Sequence, residues 1–325
     1  MTQFESILEA FSVGDAMGMP TEFMTNKKIK DKFGFVNELI DPRLSEIHSK
    51  NLKRGQVTDD TEQVLYLIEE YYKNRDFSVG TVKKALLRWF HECNPVEKGY
   101  IGPTTKKAIE SFEHGEDFEA SGTTSGAPMR ILAPVLYNLN GEIESLINAV
   151  VNCVLPTHNT NLAIESSLAV SFAYYSASKG ATKYEIIDAA ICGANVGERL
   201  AVKEVVGPSI AKRLKIIKKF LVEKEIERFL QKNYYIFGTT MEAVDVAGAA
   251  IAIGTYCKED VWLAVRMGAS VGGDTDTIAA IAGALSAFQA KSHNIPQYLI
   301  RLIREENNID LKMYADLLEE VRKGG

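Results

Sequence analysis

The chain is poor in the residues that staple or punctuate a fold. Its four cysteines, Cys93, Cys153, Cys192 and Cys257, are scattered over 325 residues without a CxxC pair, which excludes a disulfide framework and a thiolate metal site. They read as buried, reduced thiols in a reducing compartment. Nine prolines and no Pro-, Gly- or Ser-rich stretch leave no linker, so residues 1–325 read as a single domain. Positive charge is also in deficit: the formal net charge is −6 and the pI near 5.6. Nucleic acid is held mainly by clustered Lys and Arg, so no nucleic-acid partner is expected. The nearest approach to a basic patch, "KRLKIIKK" at Lys212 to Lys219, has helical spacing with Leu214, Ile216 and Ile217 turned inward, and reads as a solvated helix face. Long apolar runs are missing. The longest, "VDVAGAAIAIGTY" from Val244, is too short to span a bilayer, and the N-terminal stripe is interrupted by Glu5 and Glu9, unlike a signal peptide. These absences point to a cytoplasmic protein with no membrane partner.

Strand-like alternation is almost absent as well. Apolar residues recur at three and four from Phe4 to Phe11, Val64 to Tyr72, Val82 to Phe90, Ile143 to Val154, Leu162 to Tyr175 and Ile186 to Ala194. The same period returns in Ile226 to Leu230, Ala243 to Tyr256, Val261 to Ala269, Ile278 to Ala290 and Tyr298 to Ile303. The fold class is therefore all-α, and the 46% apolar content is ample for a large core. Two segments, "AVDVAGAAIAIG" and "IAAIAGALSAFQA", carry so much Ala and Gly that they are expected to be central helices packed on every side.

The loops carry the unusual chemistry. "VGDAMGMPTEF", "GQVTDDTEQ", "GYIGPTT", "SGTTSGAPMR", "LPTHNTN", "FGTT" and "VGGDTDT" combine Gly, Thr, Ser and Asp, and most run straight into a helix. Helix N-termini of this kind offer N–H groups and positive dipole ends to an anion. In "TDDTEQ", Asp59 and Glu62 fit a capping box at a helix start. A second cluster, Asp274 and Asp276 beside Thr275 and Thr277, again starts a helix with more carboxylate than a cap needs. If the two segments meet, four carboxylates cannot all ionise without a cation. The donors are all oxygen, from Asp and Thr, which suits Mg²⁺ or Mn²⁺ and argues against Zn²⁺. Four carboxylates suffice for two metals, which can hold and polarise a water. Asp15 and Glu22 add two acids on a Gly-punctuated loop. Glu22 follows Pro20, where the chain must leave its helix, so it can face a cleft. His158 either binds a ligand or caps the helix beginning near Asn161, whereas His48, His91, His114 and His293 have no motif around them.

Taken in order, "VGDAMGMPTEF", "GQVTDDTEQ", "GYIGPTTKKAI", "SGAPMRILAP", "THNTNLAI" and "VGGDTDTIAAIAGAL" resemble the ADP-ribosylglycohydrolase family over roughly residues 4 to 290. The resemblance implies a compact, orthogonal multi-helix bundle, monomeric, with a binuclear Mg²⁺ (or Mn²⁺) centre in a cleft that accepts ADP-ribose. By position, Thr58, Asp59, Asp60, Asp274, Asp276 and Thr277 match that family's metal ligands. Glu22 matches a loop acid proposed as catalytic in some members, and Asp15 the acid at the metal-site entrance, so Glu22, Asp60 and Asp15 are the expected catalytic acids. Gly99 and Gly102, with Gly122, Thr123, Thr124, Ser125, Gly126 and Met129, match segments that wrap the diphosphate and ribose. His158 lies in the matching TH motif, and Gly238, Thr239 and Thr240 in the loop bordering the ribose and adenine side. Two departures stand out. Members often carry Asn-Gly before Met-Arg where this chain has "SGAPMR", with Ser125 and Pro128; and Tyr100 stands where some bacterial members carry an acid.

The activity this implies is hydrolysis of the bond between ADP-ribose and an acceptor on a protein side chain such as arginine. A carboxylate, Asp60 or Glu22, would deprotonate the attacking water. The competing readings are a Mg²⁺-dependent phosphohydrolase acting on a nucleotide, and a member that binds ADP-ribose without turnover.

Overall fold

The computed structural model describes residues 1–47, 52–116, 118–201 and 203–324; His48 falls outside them. Over the described residues the chain is all helix and loop. In order these are α1 (Gln3–Gly18), α2 (Asn26–Phe33), α3 (Asp59–Asn74), α4 (Val79–Cys93), α5 (Pro95–Lys98), α6 (Pro103–Glu113), α7 (Leu132–Asn138), α8 (Ile143–Val154) and α9 (Asn161–Ser178). They continue as α10 (Lys183–Leu200), α11 (Ile210–Phe220), α12 (Ile226–Lys232), α13 (Ala243–Cys257), α14 (Val261–Val271), α15 (Thr275–Gln289), α16 (Gln297–Asn307) and α17 (Leu311–Gly324). The β-structure among these residues is one isolated antiparallel bridge, Thr124 to Glu242.

The all-α expectation therefore holds, and each periodic segment lies in a helix apart from a one-residue overrun at Ala290. Helices α2, α5, α6, α7 and α17 were not among the periodic segments. Four of these five are short or polar, with α2 presenting one buried residue, Ile29, so their apolar stripe is too brief to register. In α11, Leu214 and Ile217 are buried as expected, but Ile216 is exposed. Nor is its basic run wholly solvated: Arg213 turns back and pairs with Asp245. Among the described residues, no helix is long and apolar enough to cross a membrane.

The small-residue helices are central, as their composition demands. Every residue of α15 from Thr275 to Phe288 is buried. Its neighbours can approach closely because glycine stands at the crossings. A Cβ placed on Gly14 or Gly18 of α1 would overlap the backbone at Ala279 or at Thr275 and Asp276, and one on Gly283 would press on the Ala10 carbonyl. These pairings run in opposite directions along the two chains, so α1 and α15 are antiparallel. Gly268 of α14 and Gly254 of α13 make the same kind of backbone approach to Ala279 and Ala282. Tyr174 of α9 closes the ring, donating to the Ile281 carbonyl at 3.2 Å and packing 4.9 Å from the Phe288 ring.

Antiparallel packing has a positional consequence. The C-terminal end of α1 must lie beside the N-terminal end of α15, and Thr275 fixes the junction by donating to the Gly18 carbonyl at 2.9 Å. Thr21, just beyond α1, donates to the Ala269 carbonyl at 2.8 Å, so the end of α14 joins the same point. Replacing Gly14 by Val is expected to cost about 3 kcal/mol, because two backbones must separate to admit the side chain. Urea unfolding should show it as a lower midpoint at an unchanged m-value.

Candidate active site

The first half of the site is a helix start capped from outside. Asp15, in the last turn of α1 and fully buried, accepts from the Thr58 amide at 3.0 Å and the Thr61 amide at 3.1 Å. It also accepts from the Thr58 hydroxyl at 2.9 Å and the Thr61 hydroxyl at 2.6 Å. Thr58 is the N-cap of α3 and Thr61 its third residue, so Asp15 does the work that the sequence assigned to an Asp59–Glu62 capping box. That expectation is corrected on two counts. Asp59 is the first helical residue instead of the cap, and the amides of the actual cap, Thr58, and of the third helical residue, Thr61, are taken by Asp15. Glu62 turns away, accepting from the Trp89 indole at 2.8 Å and the Tyr100 hydroxyl at 2.6 Å, with Lys98 at 3.3 Å. Asp15 also sits within a helix, not on the loop expected for it.

The second half is the loop between α14 and α15. Gly272 and Gly273 have φ of 89° and 85°, which L-residues avoid, and a Cβ on Gly273 would overlap the Thr239 carbonyl. This turn pairs with the chain after α1: the Phe23 amide donates to the Gly273 carbonyl at 2.8 Å, and the Gly273 amide to the Met24 carbonyl at 3.0 Å. The pairing brings Glu22 against Asp274. Phe23 itself has a φ of 59°, a strained value for a bulky residue that the pairing holds in place. Asp274 is the N-cap of α15, yet its side chain makes no capping bond.

The two halves meet, which is the condition the sequence reading set for a cation site. The Thr277 hydroxyl donates to Asp60 at 3.2 Å across the junction. Carboxylate oxygens of Asp15, Asp60 and Asp276 lie within 4.8 Å of one another, and so do those of Glu22, Asp274 and Asp276. Asp276 belongs to both groups. Asp59, half-buried on the first turn of α3, lines the same cleft without joining either trio.

Such crowding has an electrostatic price. Burial first, and neighbouring carboxylates second, push Asp59, Asp60 and Asp276 well above the usual carboxylate range. Burial raises Asp15 to about 6 even though the Thr58 and Thr61 bonds oppose it. Asp60 Oδ1 is buried without a hydrogen-bond partner. Oxygen-only donors, several like charges and an orphaned buried carboxylate oxygen fit a hard divalent cation. Among the described residues, neither trio contains a His or Cys.

Above the acids is a cleft. Besides Glu22, Asp59, Asp60, Asp274, Asp276 and Thr277, it is lined by Tyr100, Gly102, Thr104, Thr105, Thr124, Ser125, Gly126, Met129 and Met241. Gly102, Thr124, Ser125, Gly126 and Met129 are thus brought to the cleft, whereas Gly99, Gly122, Thr123, His158, Gly238 and Thr239 are not among the residues that line it. Gly122 packs directly on the His158 ring. His158 is buried, its Nε2 3.2 Å from the Thr124 hydroxyl and its Nδ1 2.6 Å from that of Thr157, and burial keeps its imidazole well below the ordinary pKa. It does not cap α9, since Thr160 does that. Thr239 offers its carbonyl to the Asp274 amide at 2.8 Å.

Sequence reasoning missed Thr104, Thr105, Met241 and Arg130, and treated Tyr100 only as a departure. Arg130 is fully buried, donating to the Gly126 carbonyl at 2.7 Å and facing Thr105 at 3.5 Å. An arginine inside the apolar run "APMRILAP" was the available signal.

The chain is thus an all-α protein that gathers oxygen donors on the floor of a cleft, under loops rich in Gly and Thr. The ADP-ribosylglycohydrolase family model matches residues 5–324, and the chain belongs to that family. It is 25% identical over 317 residues to the uncharacterized protein YegU of Escherichia coli (strain K12), covering 96% of this chain and 95% of that one. It is 23% identical over 308 residues to the ADP-ribosylarginine hydrolase Tri1 of Serratia proteamaculans (strain 568), covering 92% of this chain and 75% of Tri1. A solved structure described as an ADP-ribosylglycohydrolase-related protein complex has the same fold, with a TM-score of 0.72 at 22% identity over 98% of this chain and 97% of that one.

Carboxylate crowding makes a prediction of unusual sign. In EDTA at pH 9, where the clustered carboxylates are driven towards ionisation, Asp276→Asn should unfold at a higher temperature than the unaltered protein, because it removes a like charge common to both trios. An unchanged or lower midpoint would show that the acids do not repel one another as the geometry requires.

Proposed function

We propose that this protein is a metal-dependent hydrolase that cleaves the glycosidic bond between ADP-ribose and an acceptor, with ADP-ribosylated arginine on a protein as the first acceptor to test. The observation that carries the reading is the pair of carboxylate trios sharing Asp276 beneath the cleft. Family membership and the likeness to an ADP-ribosylarginine hydrolase support the substrate class.

Two divalent cations, Mg²⁺ or Mn²⁺, would be held by Asp60, Asp274, Asp276 and Thr277, with Thr58 and Asp59 beside them. When bound they supply the positive charge that lets these carboxylates ionise together, and a Lewis acid for ribose hydroxyls and water. The chain's own groups do the rest. The N-terminus of α6, with Gly102, Thr104 and Thr105, faces the cleft and suits the diphosphate. Thr124, Ser125 and Gly126 line the same cleft and would hold the ribose in place. A carboxylate, Glu22 or Asp60, takes the proton of the attacking water as the anomeric carbon acquires positive charge.

Asp15 has a different part. Its two oxygens already accept from four donors of Thr58 and Thr61, close to a carboxylate's capacity, so it positions α3 instead of moving a proton.

Incubation with arginine-, serine- and acetyl-linked ADP-ribose, with and without Mg²⁺, tests the reading once products are resolved by mass. The expected product is intact ADP-ribose, formed only with the cation. Glu22→Gln should lower kcat by about 10²–10⁴-fold if Glu22 is the base. Release of AMP or phosphate would make the protein a phosphohydrolase, and tight ADP-ribose binding without turnover a non-catalytic member.

A further inference from the structure

The segment from Gly238 to Ala243 touches both sides of the cleft through its backbone. On one side the Thr239 carbonyl accepts from the Asp274 amide at 2.8 Å. On the other, the Met241 carbonyl accepts from the Ser125 amide at 2.8 Å, and the Ala243 amide donates to the Thr123 carbonyl at 2.8 Å. The acid-bearing loop at Gly272–Asp274 and the wall at Thr123–Gly126 are thus spaced by this one short segment. Its bridge partner, Glu242 to Thr124, belongs to the same contact.

Besides these backbone bonds, one side chain ties the segment to the helix that follows it. Gly238, with a φ of 90°, sits so close to Asp245 that a Cβ would meet the carboxylate at 2.6 Å. Asp245, in the first turn of α13, accepts from the Thr240 hydroxyl at 2.7 Å and from the Thr240 amide at 3.4 Å. Its other oxygen accepts from the Arg213 guanidinium, which reaches over from α11. Both charges are largely shielded from solvent, at 11% and 25% side-chain exposure, so the pair is stiffer than a surface ion pair.

We infer that Asp245 and Arg213 are positioning residues: together with Thr240 they clamp the Gly238–Ala243 segment and so set the distance between the acidic floor and the Thr123–Gly126 wall. None of the three lines the cleft. The inference concerns the site already proposed, and where ligand affinity is concerned it rests on that proposal. Its physical content is independent: loosening the clamp must loosen two loops that lie more than a hundred residues apart in sequence, and must loosen them together.

Hydrogen exchange of the full-length protein, read by mass spectrometry, tests this without any ligand. Thr240→Val removes a hydroxyl on an exposed residue and leaves the fold intact. It should speed exchange in the peptides covering 123–126 and 272–274 by about tenfold each, leaving α9 and α15 unchanged. Asp245→Ala and Arg213→Met should do the same, and Arg213→Lys should restore most of the protection. Faster exchange confined to 238–243, or on one side of the cleft alone, would overturn the inference.

A second arm reads affinity. Mn²⁺ and ADP-ribose, titrated separately by calorimetry, should each bind Thr240→Val about tenfold more weakly, as is usual when a support behind a ligand shell is lost. Unchanged affinities would overturn the clamp. An unaltered protein that binds neither probe counts against the proposed function alone, and the exchange pattern then decides the clamp.

Discussion

Everything at the site depends on a carboxylate that does not line its cleft. Asp15 collects two amides and two hydroxyls from the start of α3, and by doing so fixes a helix end that lies 43 residues away against the end of α1. A buried acid with four donors is satisfied in hydrogen bonds but not in charge, since no cationic side chain contributes to those bonds. Asp60 and Asp276 stand beside it with the same lack. The arrangement is stable as a set of contacts and strained as a set of charges.

The rest of the fold is shaped to bring those charges together. Helices α1 and α15 can run side by side only because Gly14, Gly18 and Gly283 remove the side chains that would hold them apart. Their antiparallel course places Asp15 and Asp276 at one end of the pair. Glycine at these crossings lowers helix propensity, but the loss is offset by dispersion contacts between backbones that larger residues would forbid. The second pair of glycines, Gly272 and Gly273, serves a local need: a left-handed turn that points Asp274 inward and leaves its backbone free to pair with Phe23 and Met24.

Much of this was legible in the sequence, and the parts that were not share a cause. Helix class, central helices and the meeting of "TDDT" with "GGDTDT" followed from periodicity, small-residue composition and an excess of acid that capping cannot use. The true cap of α3 was hidden, because Asp15 acts across the fold on a helix it does not belong to, and no local pattern reports that. Glu62 was misassigned for the same reason: its partners Trp89 and Tyr100 are fixed only once α4 and the loop after α5 are in place. Thr123, Gly122 and His158 were expected at the cleft on the strength of their loop, but a loop has two faces, and its sequence does not say which one a ligand meets. Arg130 was overlooked because arginine in a short apolar run looks like a helix-surface residue until its burial is known.

The hydrogen bond between Thr277 and Asp60 spans 217 residues. Read in the order of synthesis, it means that Asp15, Glu22, Asp59 and Asp60 emerge long before the segment that completes their surroundings. Until α15 arrives, the acids of the N-terminal part have neither the geometry to hold a cation nor a core to bury them, and water keeps them ionised and apart. A chain cut short before Gly272 would keep Asp15, Glu22, Asp59 and Asp60 without the groups that gather them, so the acidic cluster exists only once α1, α3 and α15 have come together.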